Sequence, residues 1–331
     1  MKFVITETPN LYGMDHSKEL KYVPEGVEVV IARYDPNGDN TEFIKAIEDA
    51  DAILNCYVYF GKELIDHLKN CKVISFQSTG FNEVDLDYAT EKGIAVASIL
   101  DYCTQETAEN AFAMMLALQR KTLLYNRQIQ VDHFWKAQTQ GKLYRIEGQT
   151  IGIVGLGRIG RSVAKKAHGF DMNVIAYDPF IPEDVAASVG AKLVDFDTLL
   201  AEADVVSIHM ALTDDNVHMF NKETFKKMKK QPIIINEGRG PMISDADLAW
   251  ALDEGLVRAA GLDMLESEFP DAEYIKNSPL IGRDNVILNP HSGFLSETSL
   301  ELISKIPVDN AVLCCQGRHA EAGIVRNGIG L

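Results

Sequence analysis

Over the first hundred residues, short aliphatic runs alternate with amphipathic segments. The runs KFVIT, VEVVIA, AILNC, KVISFQS and IAVAS are rich in β-branched residues and read as strands. NTEFIKAIEDA, GKELIDHLKN and DLDYATEK place their apolar residues at helical spacing. Two parallel strands need a crossover of a dozen or more residues between them, and a helix supplies that length. The alternation therefore predicts a small parallel α/β lobe.

A long helix is predicted next, from Thr104 to about Gln130, with Phe112, Met115, Leu116, Gln119 and Leu123 roughly following one face. After the polar, aromatic-containing connection DHFWKAQTQGKLYRIEG the alternation resumes. Seven strand candidates follow: TIGIVG, NVIAYD, AKLVD, DVVSIHM, PIIIN, RAAGLDML and NVILNP. Two doubly wound parallel-sheet lobes are the simplest architecture. The segment SETSLELISKIPVDNAVLCCQG has a helical pattern, but Pro307 predicts a kink or break near Lys305 to Pro307, because proline costs about 3 kcal/mol inside a regular helix. The tail GIVRNGIGL, with its glycines and little periodicity, reads as surface coil.

The chain has 331 residues, comfortable for two cores, and an ordinary globular composition. Its formal net charge of -16 disfavours nucleic acid and anionic membranes as partners, so an anionic substrate requires a local cationic site. The start MKFVITETPN lacks the apolar core of a signal peptide, and no apolar run is long enough to span a bilayer, which predicts a cytoplasmic protein. The five cysteines, Cys56, Cys71, Cys103, Cys314 and Cys315, form no CxxC pair. That spacing points to free thiols rather than to a disulfide framework or a zinc site.

The segment IVGLGRIG gives the first chemistry. Gly155, Gly157 and Gly160 follow an apolar strand and open a helix. The first allows a tight turn, the second a close approach of a pyrophosphate to the backbone, and the third close packing of helix on sheet. Exposed N–H groups at the positive helix end then hold phosphate. Asp178 ends the next strand at the distance where a carboxylate accepts hydrogen bonds from a ribose, and the residues after it, Pro179 to Pro182, include no cation for a 2′-phosphate. NAD is therefore expected over NADP. Ligands of open parallel sheets lie beyond the carboxyl ends of the strands, where PIIIN leads to Arg239, RAAGLDML to Glu268 and NVILNP to His291. Singly, each reads as a surface ion pair, a solvated acid or a core histidine. Together they are the clamp, the carboxylate partner and the proton donor that reduction of a 2-keto acid requires, the carboxylate raising the basicity of the histidine.

At this point the chain resembles the D-isomer-specific 2-hydroxyacid dehydrogenases over nearly its whole length. The resemblance rests on STGFNEVDLDYATEKGI, TAENAFAMMLALQR, IGIVGLGRIGRSVA, VIAYDP, INEGRG, GLDMLESEFP and NVILNPHSGF, in the family's order. It implies a Rossmann NAD-binding domain, residues 104–295, inserted into a flavodoxin-like substrate-binding domain, residues 1–103 and 296–331. The hinges would lie near Tyr102 to Gln105 and Gly293 to Thr298. It implies that Arg239 binds and polarises the substrate, that His291 is the acid/base with Glu268 as partner, and that Asp263 contacts the nicotinamide amide. Arg158, Ile159 and His209 join the glycines and Asp178 in the cofactor set. The backbone near Thr79 and Gly80 holds the substrate carboxylate, and Tyr102 borders the substrate. A homodimer is implied too, formed by the long helix and the connection after it.

The chain departs from the family pattern at three places. Glu237 stands where a small or neutral residue is usual, an acid expected to weaken binding near the nicotinamide site. Ala211 replaces a proline beside the adenosine, and Ser78 replaces the first glycine of the carboxylate loop. The stretch NCYVYFG brings Tyr57, Tyr59 and Phe60 but no cation, which favours a small or apolar substrate side chain over a phosphorylated one. A formate-type dehydrogenase is disfavoured by Glu268, where those relatives carry glutamine. The alternative from another class is an NAD-sensing, corepressor-like interaction protein of the same fold.

Overall fold

A computed structural model describes residues 1–9, 12–267 and 270–331. Its strands, in chain order, are β1 (Lys2–Glu7), β2 (Glu28–Arg33), β3 (Ala52–Asn55), β4 (Val73–Phe76), β5 (Ala95–Ser98), β6 (Thr150–Val154), β7 (Asn173–Tyr177), β8 (Lys192–Leu193), β9 (Val205–Ile208), β10 (Ile233–Asn236), β11 (Ala259–Leu262), β12 (Val286–Leu288) and β13 (Ile324–Val325). The chain divides into two compact units, Met1–Tyr102 with Ser296–Leu331, and Cys103–Leu295.

The first unit holds a six-stranded sheet in the order β13-β5-β4-β3-β1-β2. Its five long strands are parallel and follow the flavodoxin-like 2-1-3-4-5 winding. Strands β3, β4 and β5 are buried along their whole length, as the interior strands of a sheet covered on both faces must be. One face packs on Phe43, Ile47, Leu64 and Ile65, and the other on Val308, Ala311 and Cys314 of the helix Glu297–Cys315.

Three expectations for this unit need correction. The helix Glu297–Cys315 runs through Pro307 without a break. Proline removes one N–H, but burying Val308, Ala311 and Cys314 against the sheet is worth about 1.5–3 kcal/mol for a large apolar side chain alone, enough to hold the turn. The Pro307 carbonyl also accepts from Ser75 Oγ at 2.9 Å. The tail is not all coil either: Ile324–Val325 pairs antiparallel with β5 as β13. Arg326 N–H donates to the Val96 carbonyl at 2.7 Å and Val96 N–H to Asn327 Oδ1 at 3.1 Å, so the edge is fastened by backbone and by one amide side chain. Phe60, expected beside the substrate, is fully buried in the core.

The second unit is a seven-stranded, all-parallel sheet in the order β12-β11-β10-β9-β6-β7-β8, the Rossmann winding with its switch point between β6 and β9. All seven strand candidates of this half are present. One face is covered by Ala108, Ala111, Phe112, Met114 and Met115 of the helix Thr104–Arg120. That helix does not continue to Gln130. Lys121 adopts φ +53°, a left-handed turn, and its ammonium bonds the Gln140 carbonyl before a second helix, Thr122–Gln130, begins. Apolar periodicity carried across the break because Leu123 stays in phase with Leu116.

Candidate active site

The glycine turn leaves β6 at the switch point. Gly155 has φ +94°, where an L side chain is strained, and its N–H donates to the Tyr177 carbonyl at 2.9 Å. A side chain at Gly160 would collide with the Gly155 carbonyl, so helix and strand meet there at backbone distance. At Gly157, by contrast, a Cβ would meet nothing within 4 Å. This open, exposed position caps the helix Arg158–His168, whose first N–H groups have no acceptor within the helix. Arg158 is exposed and Ile159 half-buried. Asp178 follows β7, and its carboxylate accepts from Leu156 N–H at 2.8 Å and Phe180 N–H at 2.9 Å, which ties the acid to the turn. A turn open only at Gly157, with a helix end and a fixed carboxylate, fits a dinucleotide.

His209 follows β9. Burial pushes its imidazole down to about 3, so the ring is neutral; Nε2 pairs with Ser207 Oγ at 2.8 Å. Nδ1 is buried and lacks a hydrogen-bond partner among the described residues.

Arg239 follows β10 and is half-buried, with Nη1 donating to the Gly238 carbonyl at 2.9 Å. A side chain at Gly240 would collide with the Leu265 carbonyl, so the segment after β10 packs tightly on the one after β11. His291 follows β12 with φ +52°. A left-handed non-glycine residue is uncommon, and the surroundings show what holds it. His291 N–H donates to the Asp263 carbonyl at 2.7 Å, Ser292 N–H to Asp263 Oδ1 at 2.9 Å and Gly293 N–H to Asp263 Oδ2 at 2.9 Å. Three successive amides thus converge on one buried aspartate and set the direction of the imidazole. Phe294 packs edge-on to the ring at 6.3 Å.

The His291 pKa is lowered, by burial first and then by the nearby Arg239 cation. The expected opposing influence, Glu268, lies outside the described residues. Asp263 is pushed up by burial, against its two amide donors.

In the first unit, Thr79 and Gly80 are half-buried in the loop after β4. Three carbonyls of this loop are occupied. That of Ser78 accepts from Ile99 N–H at 3.0 Å, that of Thr79 from Arg326 Nη2 at 3.2 Å, and that of Gly80 from Ser78 Oγ at 2.7 Å. Ser78 therefore has a bracing role that a glycine could not fill. Tyr102 is half-buried at the end of the first stretch of this unit. Sequence reasoning missed Arg326, carried to this loop by β13, and Asn110 of the helix Thr104–Arg120, whose amide reaches Glu237. Neither has a local motif.

Comparison with known proteins agrees with this fold. Residues 112–293 match the family described as D-isomer specific 2-hydroxyacid dehydrogenase, NAD binding domain. A D-3-phosphoglycerate dehydrogenase of Archaeoglobus fulgidus is 33% identical over 325 residues, covering 94% of this chain but only 59% of that relative. The chain thus spans somewhat more than half the length of this relative. A glyoxylate reductase of Thermococcus litoralis is 33% identical over 286 residues, 83% of each chain. A crystal structure of D-lactate dehydrogenase from Aquifex aeolicus complexed with NAD and lactic acid is similar with a TM-score of 0.79 and 28% identity, over 96% of both chains. A seven-stranded Rossmann unit with its glycine turn, paired with a flavodoxin-like unit, defines a dinucleotide-dependent class of protein. The chain belongs to the D-isomer specific 2-hydroxyacid dehydrogenase family, and its second unit is the family's NAD-binding domain. Among the described residues, no helix is long and apolar enough to cross a membrane.

Proposed function

We propose that this protein is an NAD-dependent dehydrogenase that reduces a 2-keto acid with a small or apolar side chain to the D-2-hydroxy acid, reversibly. One observation carries the reading. Arg239 and His291 come from the ends of β10 and β12 at the carboxyl edge of the NAD-binding sheet, with the guanidinium near enough to lower the basicity of the imidazole. Bound NADH supplies the hydride. Arg239 clamps the substrate carboxylate and polarises its carbonyl, while His291 delivers a proton to the developing alkoxide and Glu268 steadies the imidazolium. An anionic substrate seated on Arg239 offsets the cation that lowers His291, so the ring regains its proton as substrate binds. Asp263 and His209 serve the nicotinamide and adenosine ends of the cofactor, and Asp178 its ribose. Thr79 and Gly80 offer amides to the substrate carboxylate from a loop whose carbonyls are already occupied, with Tyr102 beside them.

The named relatives span phosphoglycerate, glyoxylate and lactate enzymes, so the substrate is read from this chain. Tyr57 and Tyr59 are 36% and 58% exposed on the segment Asn55–Gly61, which carries no cation to meet a phosphate. A panel of pyruvate, 2-ketoisocaproate, phenylpyruvate, glyoxylate and phosphohydroxypyruvate, followed by NADH absorbance, tests this. Preference for the phosphorylated acid overturns the substrate class. NAD binding without turnover of any acid favours the interaction-protein alternative.

We also propose a homodimer. A cavity of about 480 Å³ lies between the helices Thr104–Arg120 and Thr122–Gln130 and the starts of β10 to β12, lined in part by Leu118, Leu123, Tyr144 and Arg258. Phe134 and Trp135, 48% and 84% exposed, stand on the adjoining connection as apolar knobs for a second copy. Light scattering during gel filtration that gives a monomer refutes this. A cytoplasmic setting suits the five free thiols.

A further inference from the structure

Glu237 does not face outward as an isolated acid. It is 6% exposed, and its Oε1 accepts from Asn110 Nδ2 at 2.9 Å; Asn110 Oδ1 in turn accepts from Asn289 Nδ2 at 3.0 Å. The other oxygen, Oε2, is buried and has no hydrogen-bond partner among the described residues. It is aimed at the turn after His291: a side chain built on Gly293 would lie 2.5 Å from Glu237 Oε2 and 2.8 Å from Asp263 Oδ2. Two buried carboxyl oxygens therefore flank one glycine, and only a glycine fits between them.

A buried carboxylate oxygen without a donor is costly, and a second carboxylate beside it adds repulsion. A proton on Oε2 removes the buried charge and, with it, the repulsion from Asp263. Asp263 is the better place for the negative charge, since its two oxygens already accept from Ser292 and Gly293 N–H. The groups that meet Glu237 from its surroundings are Asp263 after β11, neutral Asn110 on the helix Thr104–Arg120 and Gly293 after β12; Asp263 is the charged one that acts on it. Burial, then Asp263, pushes the Glu237 carboxyl up to about 9.

We propose that Glu237 is a positioning residue for the reaction: it keeps its proton beside the Asp263 carboxylate, so that the two buried acids carry one negative charge between them and the segment His291–Gly293 is held in the geometry that aims the imidazole. The effect on turnover rests on the function proposed above; the retention of the proton does not. Loss of that proton at alkaline pH places two buried anions against Gly293 and loosens the His291 turn.

The test compares wild type with Glu237→Gln and Glu237→Ala in the full chain. Glu237→Gln, a neutral isostere of the protonated acid, is expected to keep kcat within about 2-fold at neutral pH and to lack the alkaline fall in kcat expected of wild type near pH 9. Glu237→Ala removes the acceptor of the Asn110 amide and leaves a void, so kcat falls about 10-fold or more while the KM for NADH changes little. A thermal arm needs no activity. The melting temperature of wild type falls relative to Glu237→Gln as pH rises towards 9, because the unfolded chain ionises Glu237 while the folded chain retains its proton. Equal pH dependence of melting in wild type and Glu237→Gln overturns the retained proton, whatever the activity. A flat difference in turnover, with the thermal difference present, overturns the positioning role alone. If wild type turns over no keto acid, the function reading fails and the thermal arm still decides the pair.

Discussion

The glycine turn after β6 and the histidine turn after β12 reach the same edge of one sheet by opposite means. The first is held by backbone geometry: a left-handed glycine, a glycine packed against a carbonyl, and an open glycine at a helix start. The second is held by a buried acid distant in sequence, Asp263, which accepts from the amides beside a left-handed His291. The difference teaches that a phosphate site can be made from amides alone. A proton-transferring ring needs side chains to set its direction and its charge.

The largest expected effect separates the two turns outright. His291→Ala or Arg239→Ala lowers kcat about 10³-fold with NADH affinity nearly unchanged, as read by steady-state kinetics and fluorescence titration. Near-normal turnover would remove both residues from the chemistry. Asp263→Ala strips the acceptors from Ser292 and Gly293 N–H and is expected to destabilise the fold by about 2–4 kcal/mol in urea titration while also depressing kcat. Within the first turn, Gly160→Ala collides with the Gly155 carbonyl and lowers thermal stability. Gly157→Ala leaves stability alone but weakens NADH binding about 10-fold, because the open space it fills is the one left for phosphate. If the two variants behave alike, the turn is not divided as described.

Smaller shifts sharpen the histidine side. In the proposed reaction reduction needs protonated His291, so kcat/KM for the keto acid is expected to fall as pH rises through the His291 pKa. Burial and Arg239 move that limb down, and Glu268 is proposed to move it up. Glu268→Gln should therefore displace the limb to lower pH by about 1 unit. A limb that stays in place takes Glu268 out of the pair. The smallest effect is expected at Asp178: Asp178→Asn narrows the preference for NADH over NADPH about 10-fold, because a repulsive carboxylate becomes neutral.

The same contrast explains what was legible in the sequence. Strands β1 to β12 announce themselves as aliphatic runs, since a buried parallel sheet tolerates little else, and the glycine turn is a contiguous local pattern. The positions of Arg239 and His291 beyond strand ends were readable because each lies shortly after such a strand. Other features depend on distant partners. The two-residue β13 carries no periodic signal and exists because β5 offers an open edge. Pro307 is tolerated because of what its helix covers, and the Lys121 break depends on a carbonyl at Gln140. Phe60 looked like a substrate contact because its neighbours Tyr57 and Tyr59 are aromatic, yet alternation turns it into the core. Glu237 was visible as an oddity, but Asn110 and Gly293, which give it meaning, lie far from it along the chain.

One consequence belongs to the order in which the molecule can assemble. The face of the first sheet formed by Phe3, Ile5, Leu54, Val73 and Ala95 is covered by the helix Glu297–Cys315, which is made only after the entire second unit. During synthesis the continuous nucleotide-binding half can close its core first, while the earlier half waits with an oily flank uncovered and open to aggregation. Refolding should then show a slow phase reporting on the first unit, and a chaperone that shields that flank should raise the yield without altering the finished protein.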